Sequence, residues 1–175
     1  LLLLPILYTT VNSQYIKYYI SAFLVAISFT EICSYLIWFE IIDPFKNATI
    51  ENPTPFMRHI SYNPILAFSI YLVAHEIFFN EGLGRLKLIF YIFFSISMSI
   101  NMFITGGRAG QVMFFSMLLI LIFQYFRSQK LKAFLLASIL VPAIFFLAYQ
   151  TSDIFHNRVD IAIDNVANYS LNKNT

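Results

Sequence analysis

Long apolar runs dominate this chain, and its polar residues collect in the gaps between them. Nearly uncharged stretches cover about Tyr18–Ile42, Pro64–Phe79, Leu88–Ile104, Gln111–Phe126 and Ala133–Tyr149, and a partial one ends near Leu7. Each approaches the ~20 residues that a helix needs to cross hydrocarbon. The ~10-residue alternating strands of a transmembrane barrel are absent from the pattern. The expected fold is therefore all-α, a polytopic transmembrane helical bundle with about five whole spans and one partial span. Residues 1–149 read as this helical region, part of a larger bundle, and residues 150–175 as the start of an external loop. A chain that opens on Leu1-Leu2-Leu3-Leu4 and stops at Asn174-Thr175 reads as a fragment. Its first run is short and lacks a basic lead-in, so it does not read as a signal peptide.

Composition supports this class. The chain is 59% hydrophobic and 11% charged, with 20 Phe and 11 Tyr, whereas a soluble domain carries roughly 25% charged residues. Tyr18, Tyr19, Trp38, Tyr125 and Tyr149 fall at span ends, as in an aromatic belt. The lone Cys33 lies in an apolar run, which leaves no internal disulfide. A net charge of +2 gives no reason to expect a nucleic-acid partner; the expected partner is the lipid bilayer.

Basic residues set the orientation. Lys17, then Arg85 and Lys87, then Arg127, Lys130 and Lys132 occupy short loops on one side, with Glu81 as the acid among them. The other side carries Lys46, Arg58, Arg108, Arg158 and Lys173 over longer stretches, offset by Asp43, Glu51, Asp153, Asp160 and Asp164. The positive-inside rule counts basic density in short loops, so the first side is expected to be cytoplasmic and Arg108 to lie on the outer face. In the tail, Phe155, Val159, Ile163 and Val166 recur at helical spacing, as in a surface amphipathic helix.

The candidate chemistry centres on Thr105-Gly106-Gly107-Arg108-Ala109-Gly110, between two membrane-length runs. An arginine in or near hydrocarbon is costly unless it has a partner. Beside it, glycines would let the backbone turn tightly and let a ligand come close. The helix that follows starts on the same face, and helix N-termini suit phosphate. The bland alternative is an arginine that snorkels to lipid phosphates. A second outer feature is Arg58-His59, a few residues ahead of Asn63-Pro64, which reads as an N-cap and first helical residue. Two outer-face helix N-termini, each with an arginine, would suit a diphosphate.

Other polar residues are less specific. Glu31 sits mid-span and should face the protein interior, as a proton or ion site or as a hydrogen-bonded neutral group. His75-Glu76 lacks the second histidine of a zinc-protease motif and reads as structural. Glu40 and Asp43 read as interfacial, and Asn47-Ala48-Thr49 is a short match to a glycosylation acceptor. The sequence carries no Walker motif, dinucleotide fingerprint or metal cluster.

The apolar run, the Thr105–Gly110 turn and the next apolar run together resemble the Thr-x-Ser-Arg-Gly signature of the O-antigen ligase and O-antigen polymerase superfamily. The resemblance is strongest over residues 86–126, and Gly107 stands where the family usually has Ser. Members are multi-span glycosyltransferases of the bacterial inner membrane. They act at the periplasmic face on glycans linked to undecaprenyl diphosphate, without a nucleotide sugar, metal or cofactor. Ligases transfer the glycan to the lipid A core; polymerases add it to another glycan. The resemblance implies that Arg108 binds the donor diphosphate; the residues themselves add Gly107, Gly110 and Arg58 around it, with His59, Asn63 and Arg158 as secondary candidates. It also implies that the general base lies in a later external loop, beyond this chain. The rival classes are a secondary transporter or channel, with Glu31 as its coupling site and Arg108 as an anion contact, and a structural subunit with lipid-anchoring arginines.

Overall fold

A computed structural model describes residues 13–46, 48–151, 155–157, 159–161, 163 and 164. Among these residues all the regular structure is helical, with no strand. A short 3-10 turn, Ser13–Tyr15, leads into α1 (Ile16–Trp38), followed by α2 (His59–Phe79), α3 (Arg85–Ile104), α4 (Arg108–Tyr125) and α5 (Lys130–Thr151). Four of these, α1, α2, α3 and α5, are long and apolar enough to cross a membrane, and α4 is a shorter apolar helix. The molecule is a helical membrane bundle. Large apolar side chains such as Phe93, Ile139 and Phe146 stand 61–70% exposed on its outside, which is tolerable only where the solvent is hydrocarbon. The partial span ending near Leu7 lies outside the described residues.

Short connections make α2 to α5 successively antiparallel, and Ser34 and Glu31 of α1 pair with Asn101 and Ser97 of α3 in matching order, so α1, α3 and α5 run one way and α2 and α4 the other. The core joins the first four helices: Ile27 from α1, Tyr62, Leu66, Ala67, Ile70 and Val73 from α2, Phe94, Met98 and Met102 from α3, and Phe114 from α4. A smaller cluster of Ile122, Ala133 and Ala137 ties α5 to α4. Small residues at that second contact let the backbones come close, as membrane helix packing requires.

Helix ends depart from the sequence reading at several places; α3 and α5, for instance, begin at Arg85 and Lys130 rather than near Leu88 and Ala133. Helix α1 stops at Trp38 rather than near Ile42, because Glu40 adopts a left-handed conformation (φ 57°). The Glu40 N–H donates to the Ile37 carbonyl and the Ile41 N–H to the Leu36 carbonyl, at 3.0 and 2.9 Å. This is a Schellman stop built without its usual glycine. Helix α2 begins at His59, with Arg58 as its N-cap, so Asn63-Pro64 is not its start. Proline has no N–H to give and is tolerated there near the helix start, where it removes one intrahelical bond. Helix α4 begins at Arg108, three residues before the expected Gln111.

One end of the bundle therefore carries the starts of α2 and α4. The other end carries Lys17, Arg85, Lys87, Lys130 and Lys132 near the starts of α1, α3 and α5, with Arg127 just after α4. Of the tail, the described residues are helical. Phe155 is buried and packs edge-on against Phe103 and Phe145, with ring centres 5.4 and 5.1 Å away. Of the other positions of the expected amphipathic stripe, Val159 is half-buried and Ile163 exposed, and Val166 lies outside the described residues.

Candidate anion site at two helix starts

Asn63 organises this end. It lies in the second turn of α2, has no exposed surface, and reaches across to the turn between α3 and α4. Its Nδ2 donates to the Thr105 carbonyl, and its Oδ1 accepts from Thr105 Oγ1 at 2.7 Å. Asparagine thus serves as an interhelical clamp, not as the N-cap expected from the sequence.

The glycines of the turn answer to this clamp. None of the described glycines has positive φ, so Gly107 and Gly110 are not demanded by backbone conformation. They are demanded by space. A Cβ on Gly107 would stand 2.9 Å from Asn63 Cγ, and one on Gly110 would stand 2.8 Å from Asn63 Cα. Both glycines are buried. The room left by their absent side chains is filled by α2, so on that side they do not offer the open approach to a ligand expected from the sequence.

This packing sets the first turn of α4 against the second turn of α2. The two N-termini share an electrostatic character. The N-caps, Gly107 and Arg58, make no side-chain capping bond, and neither first turn holds an acidic residue. Free first-turn N–H groups and the positive end of each helix dipole therefore face the same end of the bundle. Arg58 is exposed and His59 is half-buried. Arg108 is the first residue of α4; its side chain, like all of Arg158, lies outside what the structure describes. Cationic residues at helix starts oppose the dipole, and an anion bound between them would relieve that conflict.

Below the site runs a polar layer that the sequence reading largely missed. Asn101 of α3 accepts from Tyr62 OH at 3.0 Å, and its Nδ2 donates to Ser34 Oγ at 3.0 Å. Deeper along α1, Ser97 Oγ donates to Glu31 Oε1 at 2.6 Å, and Tyr35 OH donates to the Ser97 carbonyl at 2.8 Å. Glu31 is 3% exposed, which agrees with the expectation that it faces inward. Charged residues drew the sequence reading to Glu31; Asn101 and Tyr62 carry no charge and gave a weaker signal.

Beside α4, an apolar cleft of about 870 Å³ opens between α3 and α5, lined by residues including Trp38, Ser99, Phe103, Phe114, Leu147 and Thr151. At the opposite end, His75 stacks on Phe79 with ring centres 4.4 Å apart, while Glu76 accepts from Asn80 Nδ2 at 2.6 Å. Each of the pair is engaged separately. Among the described residues, no three His, Cys, Asp or Glu side chains are grouped to hold a metal ion. Asn47 of the glycosylation-like triplet lies outside the described residues. In comparisons with known proteins, the chain matches no family model, no curated protein and no solved structure.

Proposed function

We propose that this chain belongs to a membrane glycosyltransferase that acts at the periplasmic face of a bacterial inner membrane. Its donor is a glycan linked to undecaprenyl diphosphate, and its acceptor is the lipid A core, as in an O-antigen ligase. The polymerase variant, with a second glycan as acceptor, uses the same donor site. The observation that carries the reading is the pairing of two helix starts without side-chain caps, α2 and α4, clamped together by Asn63 and bearing Arg58 and Arg108.

In the reaction, an acceptor hydroxyl attacks the anomeric carbon. The bond from that carbon to the diphosphate oxygen breaks, and undecaprenyl diphosphate leaves with the electron pair. Helix N-termini held in place beforehand, together with the guanidinium groups, stabilise the charge that develops on the leaving oxygen. The hydroxyl proton passes to a general base.

A transporter reading draws on the buried Glu31. Its hydrogen bond to Ser97 and the close packing around it support a structural role instead.

The test is transfer of lipid-linked glycan by the full-length protein in cells that lack it. Arg108→Ala should keep normal abundance and lose most activity. Arg108→Lys should recover only part, because it keeps the charge without the planar, bidentate fork. Wild-type transfer by Arg108→Ala would remove the donor site from this reading.

A further inference from the structure

The first turn of α4 holds a polar group that the fold itself does not use. Gln111, the fourth residue of α4, is 5% exposed, and its Nε2 is shut off from solvent without a hydrogen-bond partner. More than nine in ten buried polar groups find a partner, and an unmade bond to a buried donor weakens a fold. A leucine or methionine would fill the same space on a membrane helix without that cost. Gln111 also sits where a ligand is expected. Helical spacing places it on one face with Phe114 and Leu118, which meet Ala67 and Ile70 of α2, the helix whose start carries Arg58. Its own turn carries the free N–H groups of Arg108 and Ala109, because the cap residue Gly107 has no side chain to meet them.

We propose that Gln111 is a positioning residue for the anion: its buried amide donates to an oxygen of a lipid-linked diphosphate, alongside the first-turn N–H groups of α4. This inference rests on the donor site proposed above. A neutral amide suits the task. It can wait buried in the empty protein at far smaller cost than an ammonium or guanidinium. Once a charged oxygen arrives, its bond is of the stronger, charge-assisted kind. The Asn63 clamp fixes the turn that carries it, so the Gln111 side chain, rather than the helix, moves to meet the ligand.

The experiment uses the purified full-length protein in detergent micelles, with farnesyl diphosphate as probe and farnesol as the uncharged control. Thermal unfolding is followed over a titration of each, for wild type, Gln111→Leu, Gln111→Glu and Arg108→Ala. The expected result for Gln111→Leu is a ligand-free Tm equal to or above wild type, with about tenfold weaker binding of farnesyl diphosphate. Gln111→Glu should bind more weakly still, since a carboxylate repels the phosphate, and farnesol should not distinguish the variants. A merely structural glutamine would give the opposite pattern for Gln111→Leu, with a lower Tm and unchanged affinity.

Wild-type affinity in Gln111→Leu, alongside weakened binding by Arg108→Ala, overturns the role of Gln111 and leaves the donor site standing. Should Gln111→Leu lower the Tm by more than a few degrees, the near-isosteric Gln111→Glu decides. Weak binding by Gln111→Glu sustains the proposal, and wild-type binding overturns it. If the wild-type protein itself gains no stability from farnesyl diphosphate, the donor site falls and this inference falls with it.

Discussion

Replacing Gly110 by alanine would drive a methyl group into the backbone of α2. Its Cβ would stand 2.5 Å from the Asn63 carbonyl carbon and 2.8 Å from Asn63 Cα, closer than any unstrained contact. Alanine gains about 1 kcal/mol over glycine in helix propensity, while overpacking of a tight contact costs about 1–3 kcal/mol. The neighbour here is backbone, which yields less easily than a side chain. Gly110→Ala should therefore destabilise the protein by about 1–2 kcal/mol net. Gly107→Ala should also destabilise, for a different reason: the nearest atoms are Asn63 Nδ2 and Cγ, which belong to the side chain. The two glycines consequently part company when Asn63 is shortened. Asn63→Ala alone should cost about 1–3 kcal/mol, because the buried Thr105 carbonyl loses its side-chain donor. On that background Gly107→Ala should cost less, a coupling of about 1 kcal/mol, because only the Cβ of residue 63, 3.0 Å away, still stands in its path. Gly110→Ala should keep its full penalty. Gly84→Ala, with no atom within 4 Å of its new Cβ, serves as a control expected within about 0.5 kcal/mol of wild type. Unfolding of the full-length protein by SDS titration in mixed micelles would measure all of these. Wild-type stability of Gly110→Ala, or its rescue by Asn63→Ala, would refute the close-packing account.

Two further predictions concern α1. Glu31→Gln should retain glycan transfer and stability within about 1 kcal/mol, since an amide oxygen still accepts from Ser97 Oγ; an assay in cells that finds transfer abolished at normal protein abundance would mean that Glu31 does more than pack. Glu40→Gly should stabilise the protein by about 1 kcal/mol by removing the left-handed strain at the α1 stop, read as a higher unfolding midpoint; a lower midpoint would show that the Glu40 side chain contributes more than its backbone strain costs.

The hydrophobic pattern alone determined the class of this molecule. A run of apolar residues in lipid must satisfy its own backbone as a helix, so Leu88–Ile104 and Ala133–Tyr149 could be read as helices before any packing was known. The inward facing of Glu31 followed from the same solvent argument. Helix ends were less legible, because they depend on local bonds that leave little trace in composition. Glu40 stops α1 in a conformation that usually signals glycine, and Asn63-Pro64 resembles a cap while lying inside α2. The tertiary structure alone decided what the turn glycines are for. In sequence, Gly107 and Gly110 beside Arg108 read as an approach for a ligand; in space their missing side chains admit Asn63. It also showed which uncharged residues matter. Asn101, Tyr62 and Gln111 look unremarkable among apolar neighbours, and their weight comes from burial and from the partners they find or lack. Hydrophobicity is a property of each residue, whereas a clamp, a close approach or an unpaired donor exists only between residues from different helices.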